Sequence, residues 1–139
     1  MSILPAPPLL VDTDVVSFLF RRDTRAARYR PHLDGRLLAI SFMTLAELHQ
    51  WATSHNWGPA RKAKLAAHIA GFTIFHSNHD LAWWWAAVSV EARRAGRPIQ
   101  PSDAWIAATA MLYDMTLVTH NPDDFAGVAG LTVTSEQGP

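Results

Sequence analysis

The sequence has no cysteine. Disulfides, thiolate metal sites and cysteine nucleophiles are therefore excluded, and the composition fits a reducing compartment. Lysine is nearly absent, with Lys62 and Lys64 the only two. Neither sign of charge dominates, because 12 basic residues balance 12 acidic ones. A protein that grips nucleic acid by bulk attraction needs a basic surface. Either the partner here is not nucleic acid, or the positive charge is gathered in a local patch. Long apolar runs are missing: the longest, Leu81 to Val90, is broken by Ser89 and is too short to span a bilayer. Met1 to Leu10 lacks a basic start and carries three prolines, which makes it a poor signal peptide. No repeat, low-complexity tract or linker divides the chain. Its 139 residues, 49% hydrophobic and 17% charged, suffice for one core and read as a single domain, 1–139.

What is present is an alternation of short apolar runs and helical patterns. Leu9-Leu10-Val11 ends in an acid and reads as a buried strand. Helices are expected over about Val15 to Arg21 and Thr24 to Arg30, the second stopping near Pro31. Asp34-Gly35 marks a turn, Leu37 to Ser41 a second strand, and Met43 to Ser54 a helix. Pro59 opens a helix over about Ala60 to Ala70, ended by Gly71 and followed by a strand from Phe72 to Phe75. Asp80 to Ala95 reads as a long helix stopped by Gly96 and Pro98. A helix over Ser102 to Tyr113 and strands at Thr116 to Thr119 and Leu131 to Thr134 complete the series. Buried strands alternating with helices imply an α/β fold with a mostly parallel sheet. Such sheets carry their sites where loops leave the carboxyl ends of the strands.

The acids fall at those places. Asp12 follows the first strand, with Asp14 two residues on. Glu47 lies early in the helix after the second strand, Asp103 in the first turn after Pro101, and Asp123 and Asp124 in the loop after Thr119. Carboxylates gathered along one sheet edge repel one another, and their ionised forms are costly without a cation. Mg²⁺ or Mn²⁺ relieves that cost, because hard cations take oxygen ligands. A cation so held activates water and stabilises an in-line phosphoryl displacement, so the pattern points to phosphodiester hydrolysis. Each acid also has a structural reading. Thr44-x-x-Glu47 fits a capping box, whereas Ser41 as N-cap leaves Glu47 free to point at the sheet edge. Asp103 fits a helix-dipole acid, and Asp12 and Asp14 fit a turn and a cap.

Four segments carry a family resemblance. Leu10-Val11-Asp12-Thr13-Asp14-Val15-Val16-Ser17 resembles the opening of PIN-domain toxins. Ser41-Phe42-Met43-Thr44-Leu45-Ala46-Glu47-Leu48 resembles their second motif. The run from Gly96 through Asp103 to Ala110 resembles their third, and Leu117 to Phe125, continuing to Leu131, their fourth. The match spans nearly the whole chain in order, and the last two segments are the specific ones. The resemblance implies a central sheet of four or five mostly parallel strands flanked by helices. It also implies an endoribonuclease dependent on Mg²⁺ or Mn²⁺, acting as the toxin of a VapBC-type pair through metal-activated water. Asp12, Glu47, Asp103 and Asp124 fall on the family's acidic positions, with Asp12 and Asp103 as main ligands. Thr13, Asp14, Thr119 and Asn121 fall where they would support those ligands. The implied partners are tRNA or rRNA, a small antitoxin and a second copy of the chain, in the cytoplasm, with no membrane. Two positions depart from the pattern: Asp14 stands where asparagine is usual, and His120 where arginine is common.

Other features bear on RNA contact. Arg93, Arg94 and Arg97 cluster just before the Asp103 motif. Trp51, one helical turn after Glu47, shares its face and could stack on a base. His120 joins this group by its position. Arg21, Arg25 and Arg28 would share a face if one helix ran through them, although a solvated face accounts for them as well. Trp83-Trp84-Trp85 sweeps about 200° of a helix, too wide for one core stripe, so part of it is expected at a subunit or antitoxin interface. Two other functions fit parts of the pattern. Asp12-Thr13-Asp14-Val15-Val16 also suits the nucleophile loop of a haloacid-dehalogenase-like phosphatase. That fold needs a longer chain and a lysine before its final acids. The other is a non-catalytic PIN-like binding module, which the complete set of acids disfavours.

Overall fold

The computed structural model describes residues 6–137. Residues 1–5, half of the stretch read above as a poor signal peptide, lie outside the described residues. The chain runs β1 (Leu9–Val11), α1 (Thr13–Arg21), α2 (Ala26–Leu33), β2 (Leu38–Ser41), α3 (Phe42–Ser54) and α4 (Pro59–Ile69). It continues through β3 (Thr73–Phe75), α5 (His79–Arg94), α6 (Pro101–Leu112), β4 (Leu117–Val118), a 3₁₀ turn (Pro122–Phe125) and β5 (Val133–Thr134). The strands form one sheet in the order β3-β2-β1-β4-β5, and every pairing is parallel. The α/β fold with a parallel sheet is therefore as expected. Among the described residues no helix is long and apolar enough to cross a membrane.

The sheet forms because its strands are apolar on both faces. Leu9 and Val11 join the core beneath α1 to α4, and Leu10 joins the core beneath α5 and α6. That alternation is the two-residue period of a strand buried on both sides. Each such side chain contributes roughly 1.5–3 kcal/mol relative to exposure. Alanines Ala104, Ala107 and Ala110 on α6 keep the second core thin, so α6 lies close against the sheet and α5.

This topology sets the site. β1 is central; the chain leaves it for β2 on one side and returns to β4 on the other. The crevice at such a switch point opens at the carboxyl ends of the strands. Only Asp12 separates β1 from α1, and Ser41 both ends β2 and caps α3. The next crossover helix, α6, begins at that edge and runs back before β4. Helix starts and strand ends thus meet along one line.

The elements differ from expectation in three places. First, α1 begins two residues early, because Asp12 is the cap: its carboxylate accepts from Thr13 N. Second, α2 does not stop at Pro31 but runs on to Leu33. Ala26, Tyr29 and Leu33 share a buried stripe, and that burial outweighs the proline, which loses only its own N–H bond in a two-turn helix. Third, Arg21, Arg25 and Arg28 do not share one helix face. Arg22 ends α1 in the left-handed region (φ 55°), and Arg25 sits at the N-cap of α2. Arg21 and Arg25 turn instead to Asp23, at 3.6 and 2.9 Å, and hold its carboxyl far below the usual range.

Candidate active site

Asp12 is only 7% exposed, the most buried acid at the strand edge. One carboxylate oxygen accepts from Thr13 N at 2.8 Å and the other from the Thr119 hydroxyl at 2.7 Å. Two accepted bonds suit the ionised form, yet its pKa is pushed up to about 8. Burial is the main cause, followed by the charge of Asp14; Asp103 adds less, and the two hydrogen bonds offset part. Asp103, in the first turn of α6, is pushed up to about 6 by burial and then by Asp124, Glu47 and Asp14. Asp14 is raised as well, chiefly by burial. It accepts from Val15 N, from His120 N at 3.1 Å and from the Asn121 side chain at 2.7 Å, and these bonds oppose the shift.

Glu47 is not a capping-box residue. Ser41 is the N-cap of α3, accepting from Met43 N at 3.0 Å. That places Glu47 on the second turn, where it accepts from the Thr13 hydroxyl at 2.7 Å. Thr13 also lies 3.0 Å from the hydroxyl of the buried Thr44. Asp124 lies in the 3₁₀ turn and is exposed, like Asp123. The fold thus brings Asp12, Asp14, Glu47, Asp103 and Asp124 into one electrostatic neighbourhood at the switch point.

Do these residues suit a divalent cation? Among the described residues no three acids or histidines are arranged to enclose one ion. The donor chemistry does fit. All donors are oxygens, and the two acids with the largest upward shifts, Asp12 and Asp103, lack a positive neighbour among the causes of their shifts. A hard cation supplies that charge.

The turn from Thr119 to Asn121 fastens the site. Thr119 holds Asp12, while His120 N and the Asn121 side chain hold Asp14. Beneath the turn lies Tyr29, which is fully buried. Its hydroxyl sits 2.6 Å from His120 Nδ1 and accepts from Glu136 N at 3.1 Å. The His120 ring is accordingly turned inward, edge-on to Phe18 and Tyr29. Sequence reasoning missed Tyr29. Its place in the Ala26, Tyr29, Leu33 stripe marks a core residue, and a buried hydroxyl needs a partner. Thr44, buried in α3, was missed as well.

The profile of the PIN domain family matches residues 9–131. The chain belongs to the PIN-domain family. Among curated proteins this PIN domain is 30% identical over 136 residues to Ribonuclease VapC5 of Mycobacterium tuberculosis, covering 94% of this chain and 93% of that one. It is 26% identical over 122 residues to the tRNA(fMet)-specific endonuclease VapC of Shigella flexneri, covering 88% and 92%. Among solved structures it is similar to a toxin–antitoxin complex from Klebsiella pneumoniae. The TM-score is 0.74 at 27% identity, with 91% of this chain and 96% of that one covered. The phosphatase alternative loses its ground, since the PIN match spans residues 9–131 and both lysines lie on α4, before α6 and the final acids in the chain.

The PIN domain places the other candidates unevenly. Trp51 is half-buried and borders a cleft that shares Thr13 and Asp14 with the site. Arg93 and Arg94 end α5, and Arg97 follows it; all are exposed. Among the described residues no ion pair joins them to the acids. Trp83 is 62% exposed, whereas Trp84 and Trp85 pack on the second core, and Trp85 donates to Pro101 O at 3.2 Å. The wide sweep of the tryptophans is thus divided between the core and the exposed Trp83.

Proposed function

We propose that this PIN domain is an endoribonuclease dependent on Mg²⁺ or Mn²⁺ and the toxin half of a toxin–antitoxin pair. The observation that carries the reading is the cluster of five acids at the switch point, two of them pushed up to about 8 and about 6. A phosphodiester cannot approach so many carboxylates unless a cation intervenes. Asp12 and Asp103 are assigned as the main ligands, with Glu47 and Asp124 beside them. When bound, such a cation lowers the pKa of water and offsets charge on the phosphoryl oxygens. The chain's own residues do the orienting. Thr13 N and Thr119 keep both oxygens of Asp12 in place, and the Thr13 hydroxyl steers Glu47. Asn121 and His120 N hold the extra carboxylate of Asp14 to one side.

The relatives named as ribonucleases support RNA as substrate, the tRNA(fMet)-specific one supports tRNA in particular, and the similarity to a toxin–antitoxin complex supports a small protein antitoxin as partner. The same reading places the protein in the cytoplasm, where both partners occur, and pairs it with a second copy of itself. No step requires the ribose 2′-hydroxyl. Cleavage should therefore leave a 5′-phosphate and a 3′-hydroxyl, and a single deoxynucleotide at the cut should be tolerated. End-group analysis of the fragments checks this. A 2′,3′-cyclic phosphate, with cleavage abolished by the deoxy substitution, would refute the in-line hydrolysis.

A further inference from the structure

Beside the acids lies an open cleft of about 360 Å³, within the size range of small-ligand sites. Its walls are Thr13, Asp14, Ser17, Arg21, Leu48 and Trp51. Thr13 and Asp14 belong to the acid site as well, so the two spaces are continuous. We propose that this cleft is a nucleobase subsite, taking one base next to the cut phosphodiester and stacking it on Trp51. The inference rests on the nuclease reading and adds a specificity element to it.

The chemistry of the walls selects a base over other parts of RNA. A phosphate suits the cleft poorly. Asp14 stands in its wall, and its one cation, Arg21, is already drawn to Asp23 at 3.6 Å. A flat, weakly polar group suits it well. Trp51 presents a half-buried indole, backed from the core by the fully buried Leu48. That indole is braced from within by Trp57 (centroids 4.6 Å apart, planes at 62°) and Phe20 (6.0 Å, 79°). Both contacts are edge-to-face, so no aromatic ring is stacked on the indole. The exposed Arg21 guanidinium lies over the Trp51 ring, 5.8 Å from its centroid, so a base stacking on that face shares it with the arginine. A planar guanidinium and an indole bordering one cleft are the two groups on which bases stack. Ser17 donates to Asp14 O at 2.7 Å and keeps its oxygen as an acceptor for a base amino group. A rigid ring, a planar cation and one acceptor give sequence preference without a basic surface, in keeping with the balanced charge of the chain.

The test uses an oligoribonucleotide that the protein cuts once, with abasic residues placed singly at positions flanking the cut. One position should lower kcat/KM by about 5- to 150-fold when the base is removed. In Trp51→Leu most of the difference between intact and abasic substrates should disappear, because the indole is the main stacking surface. Trp51→Phe should keep most of the difference, and Arg21→Ala should shrink it. Should Trp51→Leu not fold, the wild-type scan and the exposed Arg21 carry the test. Several outcomes overturn the proposal: no flanking base matters to the wild type, the penalty persists in Trp51→Leu, or Arg21→Ala leaves it whole. Loss of antitoxin binding in Trp51→Leu with RNA cleavage unchanged assigns the cleft to the protein partner and also overturns it. A wild type that cuts no RNA refutes the nuclease reading itself, and the subsite with it.

Discussion

Asp12 occupies a position that water would not tolerate cheaply. It is buried, its neighbours are acids, and both its oxygens accept hydrogen bonds. Its pKa stands at about 8, above the unfolded value of 3.8, so the folded state binds the proton more tightly. Stability from that proton is full below about pH 3.8 and is lost as pH rises towards 8. Asp103, raised to about 6, and Asp14, raised in the same direction, add to the trend. Asp12→Asn removes the titration while keeping an oxygen for Thr13 N and a donor for the Thr119 hydroxyl. In EDTA, the Tm of Asp12→Asn should exceed that of the wild type by a margin smallest near pH 4 and growing to pH 8. Mn²⁺ at pH 8 should raise the Tm of the wild type more than that of the variant. Thermal melts at three pH values decide this, and a margin that does not change with pH contradicts it.

At the scale of elements, the site depends on a contact between α2 and the turn after β4. The Tyr29 hydroxyl and His120 are 91 residues apart in sequence, and Glu136, at the far end of the described chain, joins them. Tyr29→Phe keeps the ring packing but leaves Glu136 N and His120 Nδ1 without their partner. The expected cost is about 1–3 kcal/mol of stability. Because the same turn holds Asp12 and Asp14, kcat should fall while KM for RNA changes little. A chemical-denaturation curve and initial rates check both, and a variant with unchanged kcat contradicts the positioning role.

The same contact marks the limit of what could be read from the residues. The acids were legible because each follows a strand or opens a helix, and a parallel sheet collects those points at one edge. Strand β1 was legible from its unbroken apolar run and the start of α4 from Pro59, whereas the caps Asp12 of α1 and Ser41 of α3 needed the structure. Tyr29 was not legible as part of the site, since nothing local couples residue 29 to residue 120. The passage of α2 through Pro31 was hidden for a related reason: burial of Tyr29 and Leu33 is a tertiary gain that outweighs local preference. The alternatives for Glu47 were settled only by the Ser41 cap and the Thr13 bond across the sheet edge.

For the whole molecule, the balance of charge is informative. A chain with 12 basic and 12 acidic residues has placed five acids at one crevice. Of its cations, Arg21 and Arg25 are bound to Asp23, and Arg93 and Arg94 at the end of α5 and Arg97 after it are exposed. Such a molecule repels RNA from its own reaction centre until a divalent cation enters. Activity should therefore be all but absent without one. The most direct measurement is cleavage of a mixed tRNA and rRNA pool by antitoxin-free, folded protein. It is run with Mg²⁺ or Mn²⁺, with EDTA, and with Asp12→Asn in the presence of the cation. The account predicts discrete fragments with the wild type and cation, lost in both other arms. Cleavage that survives EDTA and Asp12→Asn, or no cleavage by the loaded wild type, would contradict it.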